Sequence, residues 1–498
     1  MINNIKSKVR KRNRKLRKRL KSNAPSRDGT GLHQGKIRYE LSDRIHALHC
    51  GGIGLLQEVI EKSGLFELVD ERIRLLKIRR QYHESDHVKN LIYNVLCGGE
   101  CLDDLKMLRN NGSYLDALNL SRIPDATTAG DFLRRFGHDD NLAFLDVMNE
   151  ANGRIWKISA GGKMMPRAVL DIDSSVTQTF GENKERMDIS YNGKWGFHPL
   201  IVTEAETGVH VCLVNRSGNT ASQDDAARWI EYSVAVVEEH FEKIYLRGDS
   251  AFSLMNKFDE WDDAGIQFCF GTDNTANMRE KAEKLPKSRW RLVQPKKKAA
   301  RIPHKTAKER QVEKRGFKNL HTEKEFVAEF EYKPFGQYGN YRIIVLKKEI
   351  RVTKGQGLLF DQIRYLFYIT NIRDMSPLEV LGFIRKRCDH ENKIEQLKNG
   401  VPALNSPCSD FHANWAWMIV GACAWNVKSW TGALFSDGAR GREIVRMEFK
   451  RFLFSLVFIP CQILKTGRRI VYRFLNANSW FADSMLTIRS IRAIPLLT

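Results

Sequence analysis

The sequence predicts an α/β protein with a mixed sheet, a helical region ahead of it and a β-rich insertion within it. Three observations lead there. Up to about residue 155, apolar residues recur at helical spacing. From Ala168 short apolar runs alternate with helical stretches. Between residues 275 and 375, three strand-like runs break that alternation.

In the helical region, Ser85-Asp86-His87 can open a helix, and Gly98-Gly99 ends it. Its apolar positions Val88, Leu91, Ile92, Val95 and Leu96 follow the i, i+3, i+4, i+7, i+8 pattern. Further on, Thr128 is the expected N-cap before Phe132, Leu133 and Phe136, with Asp131 three residues after it. Ala168–Asp173 then reads as a strand that ends in acids. Phe197–Thr203 and Val209–Asn215 read as a hairpin, residues 222–240 as a helix, and Lys243–Asp249 as a fourth strand. Residues 252–264 are expected to be helical and Ile266–Gly271 to be a fifth strand. In the insertion, Glu325–Tyr332, Tyr341–Glu349 and Tyr365–Thr370 are strand-like. A helix is predicted from Ser376 through Lys398, closed by Gly400-Val401-Pro402. Another, over residues 411–430, carries Trp415, Trp417, Trp425 and Trp430.

The chain has 498 residues, which at roughly 100–200 residues per domain predicts two to four domains. Apolar residues at 42% and charged residues at 28% give a globular rather than a disordered balance. Lys and Arg number 81 against 59 Asp and Glu, for a net charge of +22. That sign calls for a polyanionic partner. Membrane spanning is not expected, because no apolar run reaches the ~18–20 residues of a membrane helix. The candidates, Met418–Trp425 and Phe452–Ile459, are short and read as core. The amino terminus is basic with no apolar stretch behind it, so no secretory signal is expected. Nine scattered cysteines suit reduced thiols in the cytoplasm better than a disulfide framework. The close pair Cys97 and Cys101 lacks the second pair or His cluster of a zinc site and reads as structural.

Two stretches hold the charge. Residues 1–25 contain eleven basic residues and no acid. Residues 287–318 contain thirteen basic residues and two acids, so the two blocks account for the whole net charge. Blocks of this kind are solvated arms that give salt-dependent affinity for DNA or RNA. In the second block Lys296, Lys297, Lys298 and Arg301 are the expected DNA contacts, with Trp290 and Phe317 available to stack on bases.

Three carboxylates stand out. Asp173 ends the first strand, in Leu170-Asp-Ile-Asp-Ser-Ser175, and Asp249 ends the fourth. Ligands gather at the carboxyl ends of strands in α/β sheets. Two half-buried carboxylates repel each other unless a cation lies between them. Each alone also reads as a turn or cap residue. Glu391 shares a predicted helix face with Arg387 and Lys398, which spacing alone reads as a solvated ion-pair stripe.

These residues together resemble a known family. Arg387-x3-Glu391-x6-Lys398 is similar to the Y-R-E-K glutamate signature of DDE transposases from bacterial insertion sequences, with Ile384 where the signature has Tyr. Asp173 with Ser174-Ser175, and Arg247-Gly-Asp249-Ser-x-Phe252, resemble the first and second acid motifs. Gly196-Phe-His-Pro-Leu200 and Arg216-Ser-Gly-Asn219 resemble stretches of the insertion-sequence family numbered thirteen-eighty. Asp171 rivals Asp173 for the first acid; the hydroxyl residues that follow favour Asp173.

The resemblance implies a ribonuclease-H-like mixed sheet with a β-rich insertion between second Asp and Glu. It implies Asp173, Asp249 and Glu391 as catalytic and metal-binding acids holding two Mg²⁺ (Mn²⁺ as substitute) ~3.5–4 Å apart. Arg387 and Lys398 are then expected to position the scissile phosphate. The implied partner is double-stranded DNA, both transposon ends and target, with a homodimer or higher assembly in the synaptic complex. The domains expected are a basic arm (1–30), a helical DNA-binding or accessory region (31–155), the first part of the catalytic core (156–274), the insertion (275–375), the second part of the core (376–435) and a carboxy-terminal region (436–498). The alternatives are a metal-dependent nuclease without strand transfer, using the same acids, and an inactive transposase-derived DNA-binding protein.

Overall fold

The computed structural model describes residues 46–77, 81–293, 320–352, 362–466 and 469–495, and in the arm residues 11, 13–15 and 18. Contacts divide the chain into two units, Met1–Ile45 and His46–Thr498. In the first, the described residues are helical.

Helices come first: α1 (Ile53–Ser63), α2 (Leu65–Arg72), α3 (Glu84–Leu96), α4 (Ala126–Leu133) and α5 (His138–Ser159). The predicted helix after Ser85 is α3, one residue longer at its start. Its apolar positions are all buried. The N-cap of α4 is Asp125 rather than Thr128, because the Asp125 carboxylate accepts the Thr128 backbone N–H at 2.8 Å.

The mixed sheet has nine strands: β1 (Ala168–Ser174), β2 (Leu200–Glu204), β3 (His210–Val214), β4 (Ile244–Gly248), β5 (Gln267–Thr272), β6 (Arg291–Leu292), β7 (Leu320–Tyr332), β8 (Tyr341–Val352) and β9 (Gln362–Thr370). Their spatial order is β6-β7-β8-β9-β5-β4-β1-β2-β3. β4 is parallel to β1 and to β5, and the remaining pairs are antiparallel. The strands of 275–375 therefore continue this sheet, with β9 pairing onto β5. Pairing onto β5 satisfies an edge that would otherwise expose a row of unpaired N–H and C=O groups.

Helix α6 (Ala226–Glu238) crosses from β3 to β4. The predicted helix 252–264 is helical in α7 (Phe258–Asp263), preceded by two single 3₁₀ turns. Phe197 belongs not to β2 but to a small separate sheet between β1 and β2. After β9 come α8 (Pro377–Arg385), α9 (Cys388–Asn399) and α10 (Phe411–Ala433). The expected continuous helix 376–398 is thus two helices. Their junction is closed by tight i→i+3 bonds, Lys386 N–H to Phe383 O (3.2 Å) and Arg387 N–H to Ile384 O (3.0 Å).

Alternation along the strands sorts the two faces. Val169, Tyr245, Cys269, Ile344 and Leu346 pack with Val380, Leu381, Phe383 and Ile384 of α8. Leu170, Ile172, Leu246, Phe268 and Phe270 face the larger core, which includes α5 and α10. Residues 171, 173 and 247 follow the alternation of Val169 and Tyr245, so they share the α8 side.

The free edge of β3 is covered by α5 and α10 through side chains. Asn426 accepts the His210 backbone N–H (2.8 Å) and donates to the His210 carbonyl (2.9 Å). Asn149 donates to Val211 O (2.8 Å), and the Trp415 indole N–H donates to Leu213 O (2.6 Å). Helix α10, predicted as aromatic, is buried on all sides, and each of its four indoles donates to a buried oxygen. Among the described residues no helix is long and apolar enough to cross a membrane.

Asn426→Ala strips the His210 N–H of its partner in a site closed to water. An unmade buried bond costs about 1–3 kcal/mol. The denaturant midpoint is expected to fall accordingly at unchanged slope, whereas an unchanged midpoint would show that the edge of β3 does not need this cap.

Candidate active site

The parallel register sets Asp171 of β1 beside Arg247 of β4. Their side chains form a buried bidentate ion pair, Nε to Oδ1 at 2.5 Å and Nη2 to Oδ2 at 2.8 Å. Burial pushes the Asp171 carboxyl upward, and the Arg247 guanidinium pulls against that shift. The remaining Arg247 nitrogen, Nη1, donates to Phe383 O at 2.6 Å. That carbonyl lies in the last turn of α8, so the ion pair reaches across the sheet face to the α8–α9 junction.

Continuing the same two strands by two residues brings Asp173 and Asp249 to the carboxyl end of the sheet. Asp249 caps the turn after β4, accepting the Ala251 N–H at 3.0 Å. Asp173 accepts its neighbour's N–H, that of Ser174, at 2.8 Å. Between them stands Arg387, at the N-cap of α9. Its guanidinium lies 3.6 Å from Asp173 and 3.6 Å from Asp249, and 4.0 Å from Glu391 one turn further along α9. Three acids separated by up to 218 positions in sequence thus surround one guanidinium.

The electrostatics are strained. Burial pushes the Asp173 carboxyl up to about 6, Arg387 opposes that, and the charges of Asp249 and Glu391 add to it. Arg387 Nη1 has no hydrogen-bond partner despite its burial. One guanidinium therefore faces three acids at ion-pair distance without a close hydrogen bond to any of them. Lys398 lies at the far end of α9, where its ammonium donates to Val176 O (3.2 Å) just beyond Asp173. Burial holds its pKa below the usual lysine value.

The carboxylates surround the guanidinium. Among the described residues no group of three or more His, Cys, Asp or Glu is gathered to hold a metal ion. The donor set nonetheless fits a hard divalent cation: three carboxylates, all oxygen donors, already held around a positive charge. The residues Asp173, Asp249, Glu391, Arg387 and Lys398 are all in this neighbourhood. Lys296, Lys297, Lys298 and Arg301, like Phe317, lie outside the described residues. Trp290 is half-buried, tilted against Tyr365 with ring centroids 6.3 Å apart.

Asp171 is fully buried and engaged by Arg247, whereas Asp173 meets Arg387 at the sheet end. Three neighbours had no role assigned from the sequence, Arg247 having been noted only as part of the second acid motif. Arg247 interrupts an apolar strand, and that mid-strand charge signals a buried partner. Lys393, on α9 itself, is half-buried and donates to Ala205 O (3.0 Å); burial holds its pKa down. His390 is fully buried with both ring nitrogens lacking hydrogen-bond partners, and burial with nearby cations keeps it neutral.

No curated protein matches the chain. Among solved structures it is similar to the piggyBac transposase synaptic complex with hairpin DNA. That likeness has 8% identity and a TM-score of 0.36, covering 91% of this chain and 83% of that one, and at such a score it carries no argument. A family model described as transposase DDE domain group 1 matches residues 48–493. The match takes in the whole sheet, both helices that flank Arg387 and all three acids, and the chain belongs to the group 1 DDE transposase domain family.

Proposed function

We propose that the chain is a transposase that cuts the ends of a bacterial insertion sequence, of the thirteen-eighty type, and joins the 3′-hydroxyl to target DNA. The observation that carries this reading is the gathering of Asp173, Asp249 and Glu391 around Arg387 in a member of the DDE family. A ribonuclease-H-like arrangement is supported by the strand order β3-β2-β1-β4-β5, with β1–β3 antiparallel and β4 and β5 parallel to β1.

In this reading Asp173, Asp249 and Glu391 bind divalent cations, Mg²⁺ or Mn²⁺ in its place. Bound there, such ions lower the pKa of an attacking water or 3′-hydroxyl and offset charge on the departing oxygen. Asp173 and Asp249 are fixed by the sheet, and Glu391 comes from a separate helix, so the three acids that would hold such ions come from three converging elements. Arg387 neutralises the acids in the metal-free chain and turns its planar fork to the scissile phosphate during reaction. Lys398, anchored beside the first acid, adds a second positive charge on the phosphate path. Double-stranded DNA is the substrate, and a homodimer or larger synaptic assembly brings two ends together. The basic arm and the 287–318 block supply counterion-releasing affinity in this scheme, and the work is done in the cytoplasm on the nucleoid.

Asp249→Asn is expected to bind end DNA about as wild type does. Nicking and joining should both fall on the order of a thousandfold, about 4 kcal/mol of transition-state stabilisation. Retained nicking rejects the acid assignment. Supplying a pre-cut 3′-hydroxyl end separates the transposase from a nuclease, since only the former joins it to a second duplex.

The raised Asp173 carboxyl gives a readout independent of activity. Because its folded pKa is about 6 against an ordinary 3.8, its charged form costs stability above pH 6. The cost fades as pH falls toward 4 and the side chain takes up its proton. Metal-free Asp173→Asn should therefore unfold with a free energy on the order of 1–3 kcal/mol above wild type at neutral pH. The gap should close by pH 4; a gap that persists there contradicts the shift.

A further inference from the structure

The carboxyl end of β1 is held from both faces of the sheet. Asp173 turns to the α8 side, where its Oδ1 accepts the Ser174 N–H at 2.8 Å. Ser174, the last residue of β1, turns to the opposite side with Leu170 and Ile172. There its hydroxyl lies 2.7 Å from the hydroxyl of Ser222, in the loop between β3 and α6. The peptide that bonds the first acid is therefore tied, through the Ser174 side chain, to a loop 48 positions further along the chain.

That loop is built around Arg216, which is 6% exposed. Its hydrogen-bond acceptors are all backbone carbonyls. Nε donates to His198 O at 3.0 Å, and Nη1 to Ala221, Ser222 and Asp224 oxygens at 3.4, 3.3 and 2.9 Å. Burial holds the Arg216 pKa down to about 10. A buried cation held by carbonyls alone costs stability. What it supplies in return is the path of the loop. Neighbouring bonds fix the rest of that path. His198 donates from Nδ1 to Thr220 O (2.8 Å), the Asp224 carboxylate accepts the Ala221 N–H (3.0 Å), and Asn219 donates to Asp188 (2.6 Å). Gly218 passes so close to Asp188 that a Cβ would lie 2.2 Å from its carbonyl oxygen.

Asp173 has need of such a support. Its nearest cation, Arg387, stands 3.6 Å away, too far for a close hydrogen bond that would set the rotation of the carboxylate. The Ser174 N–H does make one. Groups behind a metal-binding carboxylate orient it, and losing one typically lowers metal affinity without removing a ligand.

We propose that Ser222, placed by Arg216, is a positioning residue for Asp173: by holding the Ser174 side chain it fixes the peptide whose N–H orients the carboxylate. This rests on the reading of Asp173 as a metal-binding acid. Ser222 acts through Ser174, from the face of the sheet opposite the acids. The same link gives a role to the hydroxyl residue after the first acid and to the Arg216-Ser-Gly-Asn219 stretch.

The test compares full-length wild type, Ser222→Ala and Ser222→Thr by two readouts. The first is hydrogen exchange in the metal-free protein, followed by mass spectrometry of the peptide that spans Ser174. Ser222→Ala should speed exchange there about fivefold, leave α10 peptides unchanged and barely move the melting temperature. The second is Mn²⁺ affinity, which should fall about tenfold in Ser222→Ala. Ser222→Thr, which keeps the hydroxyl, should restore both. Arg216→Met should reproduce both effects and also speed exchange across residues 217–225; should it fail to fold, Ser222→Ala still decides. The proposal is overturned if Ser222→Ala exchanges at Ser174 like wild type, or binds Mn²⁺ as tightly. It is also overturned if exchange quickens equally in every peptide, since the hydroxyl then serves general stability alone. If exchange at Ser174 quickens while wild type itself binds no Mn²⁺, the metal-site reading fails and the link from Ser222 to Asp173 stands.

Discussion

The buried pair of Asp171 and Arg247 is the constraint on which the site depends. It is placed by register, two charges on adjacent parallel strands, and it is closed to water. Removing one partner from such a pair leaves an uncompensated buried charge, a loss of about 3–5 kcal/mol. An apolar pair of the same volume could match its stability. Such a pair would have no third nitrogen for Phe383 O, and no charged plane over the Phe383 ring at 4.9 Å. The pair therefore matters for geometry. It joins β1 and β4 to the last turn of α8, from which Arg387 and Glu391 depart toward Asp173 and Asp249.

Elsewhere too, buried polar groups join helices to the sheet. Asn426, Asn149 and Trp415 close the edge of β3, and Lys428 does the same for a helix end. Its ammonium donates to Ile444, Val445 and Met447 carbonyls at 3.2, 2.8 and 3.0 Å and lies 3.9 Å from the Trp425 ring. Burial drives its pKa well down, which is the cost of a cation in this position. A scaffold stitched by such directional bonds has one low-energy arrangement rather than several. The acids need that property, because their placement within ion-pair distance of Arg387 depends on three separate elements.

Much of this was legible in the chain. Apolar alternation in Ala168–Asp173 and Lys243–Asp249 marked the two strands and put the acids at their ends. Spacing alone could not choose between Asp171 and Asp173, since both lie on the same face. What separates them is a partner on another strand, Arg247. The break at Lys386-Arg387 was illegible for the same reason: residues 376–398 carry good helical periodicity, and the bend is tied to β4 by Arg247. Helix α4 began at Asp125 because Asp125 and Thr128 are both capable caps and only the local backbone decides between them. The attachment of β9 to β5 was also hidden, because strand periodicity names a face and not a neighbour.

The central claim is that Asp173, Asp249 and Glu391 together form a divalent-cation site. Its most direct measurement is Mn²⁺ binding to the full chain, followed by electron paramagnetic resonance with and without Glu391→Gln. Glu391 is the most exposed of the three acids, so its replacement disturbs the fold least. The account predicts Mn²⁺ bound by the wild type, with affinity falling about tenfold or more when this one carboxylate is lost. Equal affinity in the two proteins would mean that the acids gather around Arg387 and nothing else, and the chemistry assigned to them would have to be abandoned.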